Sequence, residues 1–273
     1  VTPRVSVIIP ARNAAATIER QLRAVCAQEV DVPFEVVVVD NGSTDDTADV
    51  VHHVATMLPR VRLVDGPNRP NRSAARNVGV ERAAGTVLAF CDADDIVEPA
   101  WLRALLRELE GHPVVTGGLR AVRDLFDNGS SAPMLTSYRG LACLASGNFA
   151  ITTEAYQLVG GFSEAIRHRV DIELSCRLYL LGIEVQTAPD ACVRYVRRPD
   201  LRGEARQHFW WAVADVQIMK AYRGRVPLEY SWANSMKHWM LVGPQLVRAA
   251  TTRADLTPAV LTLAALVGRL AGS

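Results

Sequence analysis

The run Glu35-Val36-Val37-Val38-Val39-Asp40 constrains the fold of this chain more than any other stretch. Four consecutive β-branched residues crowd the turns of a helix, and no polar residue alternates with them to meet water. Such a strand needs cover on both faces, which is the condition of a mostly parallel sheet flanked by helices. The neighbouring segments repeat the theme. Val5-Ser6-Val7-Ile8-Ile9 precedes a helix in which Ile18, Leu22 and Val25 recur at i, i+4, i+7, and the valine run leads into a second helix carrying Val50, Val51, Val54 and Leu58. A third strand is expected around Val61–Val64, then a loop marked by Pro67 and Pro70, a helix over about Ser73–Ala84 and a strand over Thr86–Cys91. Pro99 is expected in the first turn of the next helix, where its missing N–H costs nothing. The order β-α-β-α-β-α-β-α predicts an α/β fold with a Rossmann-like, mostly parallel central sheet and right-handed crossovers.

In such a sheet ligands bind at the carboxyl ends of the strands, so polar residues should gather there. The first strand ends in Pro10-Ala11-Arg12-Asn13, the second in Asp40-Asn41-Gly42-Ser43-Thr44-Asp45-Asp46, and the fourth in Asp92-Ala93-Asp94-Asp95. Any one of these reads equally as a turn or helix cap. Together they face one crevice. Asp92, Asp94 and Asp95 repel one another, and a divalent cation neutralises them most directly. Their oxygen ligands suit Mg²⁺ or Mn²⁺, which commonly completes its shell with water and substrate phosphates. There is no HExxH, no His/Cys pair at zinc spacing, no EF-hand loop, no P-loop and no GxGxxG. A nucleotide here is therefore not held by a glycine-rich loop.

Composition adds little against this. The chain of 273 residues is 49% apolar with a net charge of +1, so no global charge argues for nucleic acid. Of its basic residues only Lys220 and Lys237 are lysine. Cys26, Cys91, Cys143, Cys176 and Cys192 form no CxxC and read as buried thiols of a reducing, cytoplasmic setting. The opening residues read as a first strand rather than a signal peptide.

The segments "VSVIIPARN", "VVVVDNGSTDDT", "RSAARNVGVERAAGTVLAFCDADD" and "GNFAITTEAYQLVGGF" resemble, in order and spacing, the successive motifs of family 2 glycosyltransferases with the GT-A fold. The resemblance runs from about Val5 to Leu181. It implies that Pro10, Ala11 and Asn13 line a nucleoside pocket, that Asp40 hydrogen-bonds the base edge, and that Arg76 and Asn77 lie in a segment closing over the nucleotide. Asp92 would face the ribose or sugar of a nucleotide-diphosphate sugar donor, and Asp94, second in the DxD pattern, would reach a Mn²⁺ or Mg²⁺ ion, with Asp95 assisting. Asp171, after Gly160-Gly161-Phe162, stands where the family places its catalytic base, although Val170 replaces the usual preceding glutamate. The first turn of a helix favours an ionised carboxylate there. Glu173 is the fallback base, expected to point away from Asp171.

One base and no obvious nucleophile imply a single inverting displacement. Two further departures stand out. Tyr195 occupies the place of a metal-site histidine, with Arg194, Arg197 and Arg198 nearby, and "ARQHFWWA" keeps Gln207 but lacks the Arg-Trp of processive synthases, which favours transfer of one sugar. His208, Trp210 and Trp211 read either as acceptor contacts or as core.

The expected organisation is a GT-A domain over 1–202, with a nucleotide half of about 1–118 and an acceptor half of 119–202, followed by a helical extension over 203–273. The extension, with Trp232, Lys237, Trp239 and Arg248, carries no apolar run of the roughly 20 residues a membrane span needs. It reads as core packing, a homodimer contact, or a peripheral contact with the inner face of a membrane, which would suit a lipid-linked acceptor; the alternative acceptor is a small molecule. Two other classes stay open. A haloacid-dehalogenase-type phosphatase also carries a DxD at a strand end, but Ile96 stands where its pattern has Thr or Val. A non-catalytic nucleotide-sugar binding module would keep Asp40 and Asp94 without needing Asp171.

Overall fold

A computed structural model describes residues 2–67, 71–122, 137–196, 201–228, 263–265 and 267. The first half builds as the periodicity predicts: β1 (Val5–Ala11), α1 (Ile18–Cys26), β2 (Phe34–Asp40), α2 (Thr47–Met57), β3 (Val61–Asp65), α3 (Arg72–Arg82) and β4 (Val87–Cys91). There follow β5 (Ile96–Val97), α4 (Trp101–Leu109), β6 (Val114–Val122), β7 (Ser137–Tyr138), β8 (Leu141–Ala142), β9 (Asn148–Thr152), α5 (Thr153–Val159), α6 (Val170–Leu180), β10 (Gln186–Val196) and α7 (Leu201–Tyr222). Pro99 falls two positions before the first residue of α4 rather than in its first turn. Ala100 is the N-cap of α4, and the Trp101 N–H closes a turn onto the Glu98 carbonyl.

Eight strands form one sheet in the order β3-β2-β1-β4-β9-β6-β10-β5. β1 pairs in parallel with β2 and β4, and β2 with β3, so the valine run is interior to the sheet. Beyond β4 the sheet departs from the simple expectation. β9 is antiparallel to both β4 and β6, β10 is parallel to β6, and β5 is antiparallel to β10. Strand sense leaves no mark on local periodicity, and so this mixed half was not legible.

The two faces bury different side chains, as period-two alternation requires. Val5, Val7 and Ile9 pack with Ile18, Leu22 and Val25 of α1, Val51 and Val54 of α2, and Trp101, Leu102 and Leu105 of α4. Opposite them Ile8, Leu88, Phe90, Phe149 and Ile151 pack with Tyr156 and Val159 of α5 and Leu174 and Leu178 of α6. Val37 and Val39 meet Ala75 of α3 on that second face. Gly79 lets α3 lie this close: a Cβ there would stand 2.5 Å from the Ile8 side chain.

Asn148 stitches the mixed half together. Its buried amide donates to the Gly118 and Ala191 carbonyls, each at 2.8 Å, and accepts from the Trp101 indole at 2.8 Å. It thereby closes the register shift in β10 between Ala188 and Cys192. All five cysteines are free, and four are buried.

By its internal contacts the chain divides into residues 1–138 with 142–197, and residues 139–141 with 198–273. Within the second unit α7 carries the His208 ring 5.5 Å from that of Trp211, while Trp210 is exposed. No helix among the described residues is long and apolar enough to cross a membrane. Arg197, Arg198, Trp232, Lys237, Trp239 and Arg248 lie outside the described residues.

Candidate functional site

The loops that follow β1 and β2 are bonded into one platform. Asn13 adopts a left-handed conformation (φ 51°), which Asn tolerates better than most residues, and its side-chain oxygen accepts the Thr44 N–H at 2.8 Å. Its own N–H donates to Ser43 Oγ at 3.0 Å. Ala14 N donates to Thr47 Oγ1 at 2.8 Å and Ala15 N to Asp45 Oδ2 at 3.1 Å. Asp40 Oδ1 accepts the Ser43 N–H at 3.0 Å, a local side-chain-to-backbone bond that orients the carboxylate at the strand end. Gly66 passes so close that a Cβ there would sit 2.2 Å from the Asp40 carbonyl. Pro10 and Ala11 are buried as the last residues of β1, with Ala11 in register with Asp40, and of the three residues only Asn13 is exposed.

At the end of β4 the carboxylates of Asp92, Asp94 and Asp95 each offer an oxygen within 4.8 Å of the others. Asp94 is exposed, the other two half-buried. Burial, then the charges of Asp92 and Asp94, push the Asp95 carboxyl well above the usual carboxylate range, with Arg72 pulling it down. The loop is held from beneath by Gln21, a buried polar residue on the core face of α1. Its Nε2 donates to the Asp92 carbonyl at 3.0 Å, and its Oε1 accepts the Val97 N–H at 3.1 Å. This residue was missed from the sequence, although a glutamine between Ile18, Leu22 and Val25 on one helical face is a signal of a buried polar tie.

Arg76 and Asn77 both lie on α3. The Arg76 side chain is fully buried and its Nη2 donates to Asp92 Oδ1 at 2.6 Å, with its guanidinium 5.3 Å from the Phe162 ring centre. Asn77 spends its full hydrogen-bonding capacity on protein. Its amide donates to the Phe162 carbonyl at 3.0 Å and Glu164 Oε1 at 3.2 Å. Its oxygen accepts from Tyr156 Oη at 2.7 Å and Phe162 N at 3.0 Å. An amide has two donors and two acceptor lone pairs, so Asn77 ties α3 to the Gly160-Gly161-Phe162 turn and keeps none for a ligand.

That turn delivers α6. Gly160 and Gly161 both hold positive φ, 77° and 69°, and end α5. Arg169, at φ 58°, then sets the start of α6, and Asp171 falls in its first turn. Asp171 Oδ2 faces the Ser146 N–H at 3.4 Å. The next residue, Gly147, abuts the acid cluster: a Cβ on it would lie 2.8 Å from Asp92 Oδ2 and 3.4 Å from Asp95 Oδ2. Ser146-Gly147 therefore brings Asp171 to the three acids from a helix about 80 residues further on. Glu173 is turned away, buried and paired to Arg177 through bonds of 2.9 and 2.8 Å. Tyr195 and Arg194 lie on β10 opposite Ala121 and Arg120.

Three kinds of likeness bear on this arrangement. The family model described as Glycosyl transferase family 2 matches residues 6–162. The glycosyltransferase AglE of Haloferax volcanii is 28% identical over 253 residues, 88% of this chain and 81% of that protein. A chondroitin synthase of Pasteurella multocida is 30% identical over 187 residues, which span 66% of this chain but only 19% of that larger protein. Among solved structures, the mannosyltransferase PcManGT from Pyrobaculum calidifontis, in complex with GDP-Man and Mn²⁺, has a TM-score of 0.72 at 21% identity, covering 99% of this chain and 88% of that one. S. aureus TarS 1–349 in complex with UDP-GlcNAc has a TM-score of 0.58 at 19% identity, covering 98% and 91%. At these identities the structures establish the shared GT-A architecture.

Proposed function

Because this chain belongs to glycosyl transferase family 2, we propose that it moves a single sugar from a nucleotide-diphosphate sugar to an acceptor hydroxyl in one inverting, metal-dependent displacement. The observation that carries this reading is the approach of Asp171 to the acid cluster through Ser146-Gly147. A binding module needs the acids but no second carboxylate beside them.

In this reading Asp40 and Asn13 meet the nucleoside, and Asp92 meets the ribose or sugar. Asp94 and Asp95 hold Mn²⁺ or Mg²⁺. The site fits such an ion, because it offers only oxygen donors, close together, in a space that a side chain at position 147 would fill. A bound cation supplies charge stabilisation to the departing diphosphate. Asp171 accepts the proton of the acceptor hydroxyl as its oxygen bonds to the anomeric carbon, while the bond from that carbon to the phosphate oxygen breaks and the nucleoside diphosphate leaves. With one such base the anomeric centre inverts.

UDP is the proposed nucleotide, since the second oxygen of Asp40 suits the ring N–H of uracil. GDP is the second reading, favoured by the GDP-Man of the Pyrobaculum structure. The acceptor is a small molecule or a lipid-linked one. Residues 1–202 act as the transfer domain in this scheme, and 203–273 as a helical extension that contributes a dimer or membrane-surface contact.

Thermal shift with UDP, GDP and dTDP, each with and without Mn²⁺, tests the donor side. One nucleotide should raise Tm far more with metal than without, because a ligand that binds only the folded state stabilises it by RT ln(1 + [L]/Kd). The metal-dependent reading fails if none does.

A further inference from the structure

Beneath the acid cluster lies a cation that the chemistry above does not use. Arg76 is fully buried, and of its guanidinium nitrogens Nε and Nη1 have no hydrogen-bond partner. Its one ionic bond is to Asp92 Oδ1, and one face of the group meets the Phe162 ring. A guanidinium stays charged in proteins, and burying it with two donors unmet is expensive unless a strong negative field repays the cost. The field here comes from Asp92 first and Asp171 next, with Arg72 opposing. Arg76 offsets one charge of the acid cluster, and a divalent ion would offset what remains. The bond also fixes Asp92. With Oδ1 bonded to Arg76, this carboxylate has only Oδ2, beside Gly147, left to face the cluster, whereas Asp94 stands exposed at the rim.

We propose that Arg76 is a positioning residue: the permanent countercharge that matches the acid cluster to one divalent cation and engages one of the two Asp92 carboxylate oxygens. The inference rests on the metal-dependent reading above. Its signature is a dependence of metal affinity on the summed charge of positions 76 and 92 rather than on either side chain alone.

Binding of Mn²⁺, followed by electron paramagnetic resonance without nucleotide so that the contact of Asp92 with the donor plays no part, tests it in the wild type and four variants. Asp92→Asn removes one negative charge and should weaken Mn²⁺ on the order of tenfold. Arg76→Met removes the positive charge and should tighten Mn²⁺ by a similar factor. The double variant Arg76→Met/Asp92→Asn restores the net charge and should return to within about threefold of the wild type. Were Asp92 a metal ligand, or Arg76 only a structural support, the double variant would stay as weak as Asp92→Asn, and that result overturns the assignment. If Arg76→Met alone does not fold, the comparison of the double variant with Asp92→Asn still decides, since recovery of Mn²⁺ affinity on removing Arg76 from the Asp92→Asn protein is itself the charge effect. Arg76→Lys, which keeps the charge, should bind Mn²⁺ within about threefold of the wild type, and a larger change counts against the charge role. Wild-type protein that binds no Mn²⁺ removes the metal reading itself, a result distinct from failure of the double variant to recover.

Discussion

Asp171 and Glu173 stand two residues apart on one helix and are put to opposite uses. Glu173 is buried in a bidentate pair with Arg177, while Asp171 faces Ser146 beside the acid cluster. Replacing Asp171 by Asn should leave nucleotide binding intact and lower transfer by about 10²–10⁴-fold, the usual worth of a general base; unchanged turnover would remove it from that role. Glu173→Gln should do the reverse, costing about 1–3 kcal/mol in chemical denaturation with kcat within a few-fold of the wild type, because it removes the charge opposite Arg177. Gly147 has a similar clarity. Ala at this position would drive a methyl group against Asp92 and Asp95, so Gly147→Ala should reduce Mn²⁺-dependent nucleotide binding at least tenfold while the far-ultraviolet spectrum is retained. Of these residues, the aspartates and Asp171 were legible in their motifs. The buried states of Pro10 and Ala11, and the saturation of Asn77, were not, since a residue's letter does not state how many of its hydrogen bonds the fold will consume.

At the level of elements, capping and cross-loop bonds hold the strand ends in place. The Asn71 side chain accepts the N–H groups of Ser73 and Ala74 at the start of α3 and donates to the Glu164 carbonyl at 3.1 Å. Asn71→Ala should therefore cost about 1–2 kcal/mol of stability, read as a lower denaturation midpoint with an unchanged slope. An unchanged midpoint would show the cap to be dispensable. The elements themselves were largely readable: β1 to β4 and α1 to α3 follow the apolar periodicities closely, because these depend on neighbours within a few residues. The antiparallel entry of β9 between β4 and β6 was not readable, because the sense of a strand is set by what it pairs with across the sheet.

Across the whole molecule, the end of the sheet remote from the site is closed by a polar knot. Ser6 Oγ donates to Glu35 Oε1 at 2.6 Å and accepts the Gly85 N–H at 2.9 Å. Glu35 also accepts from Ala84 N at 2.7 Å and Arg62 Nε at 2.9 Å. Burial raises the Glu35 pKa, but the bonds from Ser6, Ala84 and Arg62 outweigh it and hold the carboxyl below its ordinary value. A carboxyl with a lowered folded-state pKa contributes stability that is fully present above its unfolded value, near 4.3, and is lost as pH falls through the folded one. Glu35→Gln should accordingly unfold at nearly the same denaturant concentration as the wild type below that window and at a lower one at pH 7. A pH-independent difference would contradict the linkage.

The sequence by itself determined the alternation of strands and helices, the polar strand ends and the family. Each is written in residues close together along the chain, where steric and hydrophobic periodicity act. Only the tertiary structure decided that Arg76 lies under Asp92, that Asn77 ties α3 to the Gly160-Gly161-Phe162 turn, and that Gly147 joins Asp171 to the acids. Those outcomes depend on side chains brought together from elements many tens of residues apart, whose partners are selected by packing and by the cost of leaving a buried polar group unpaired.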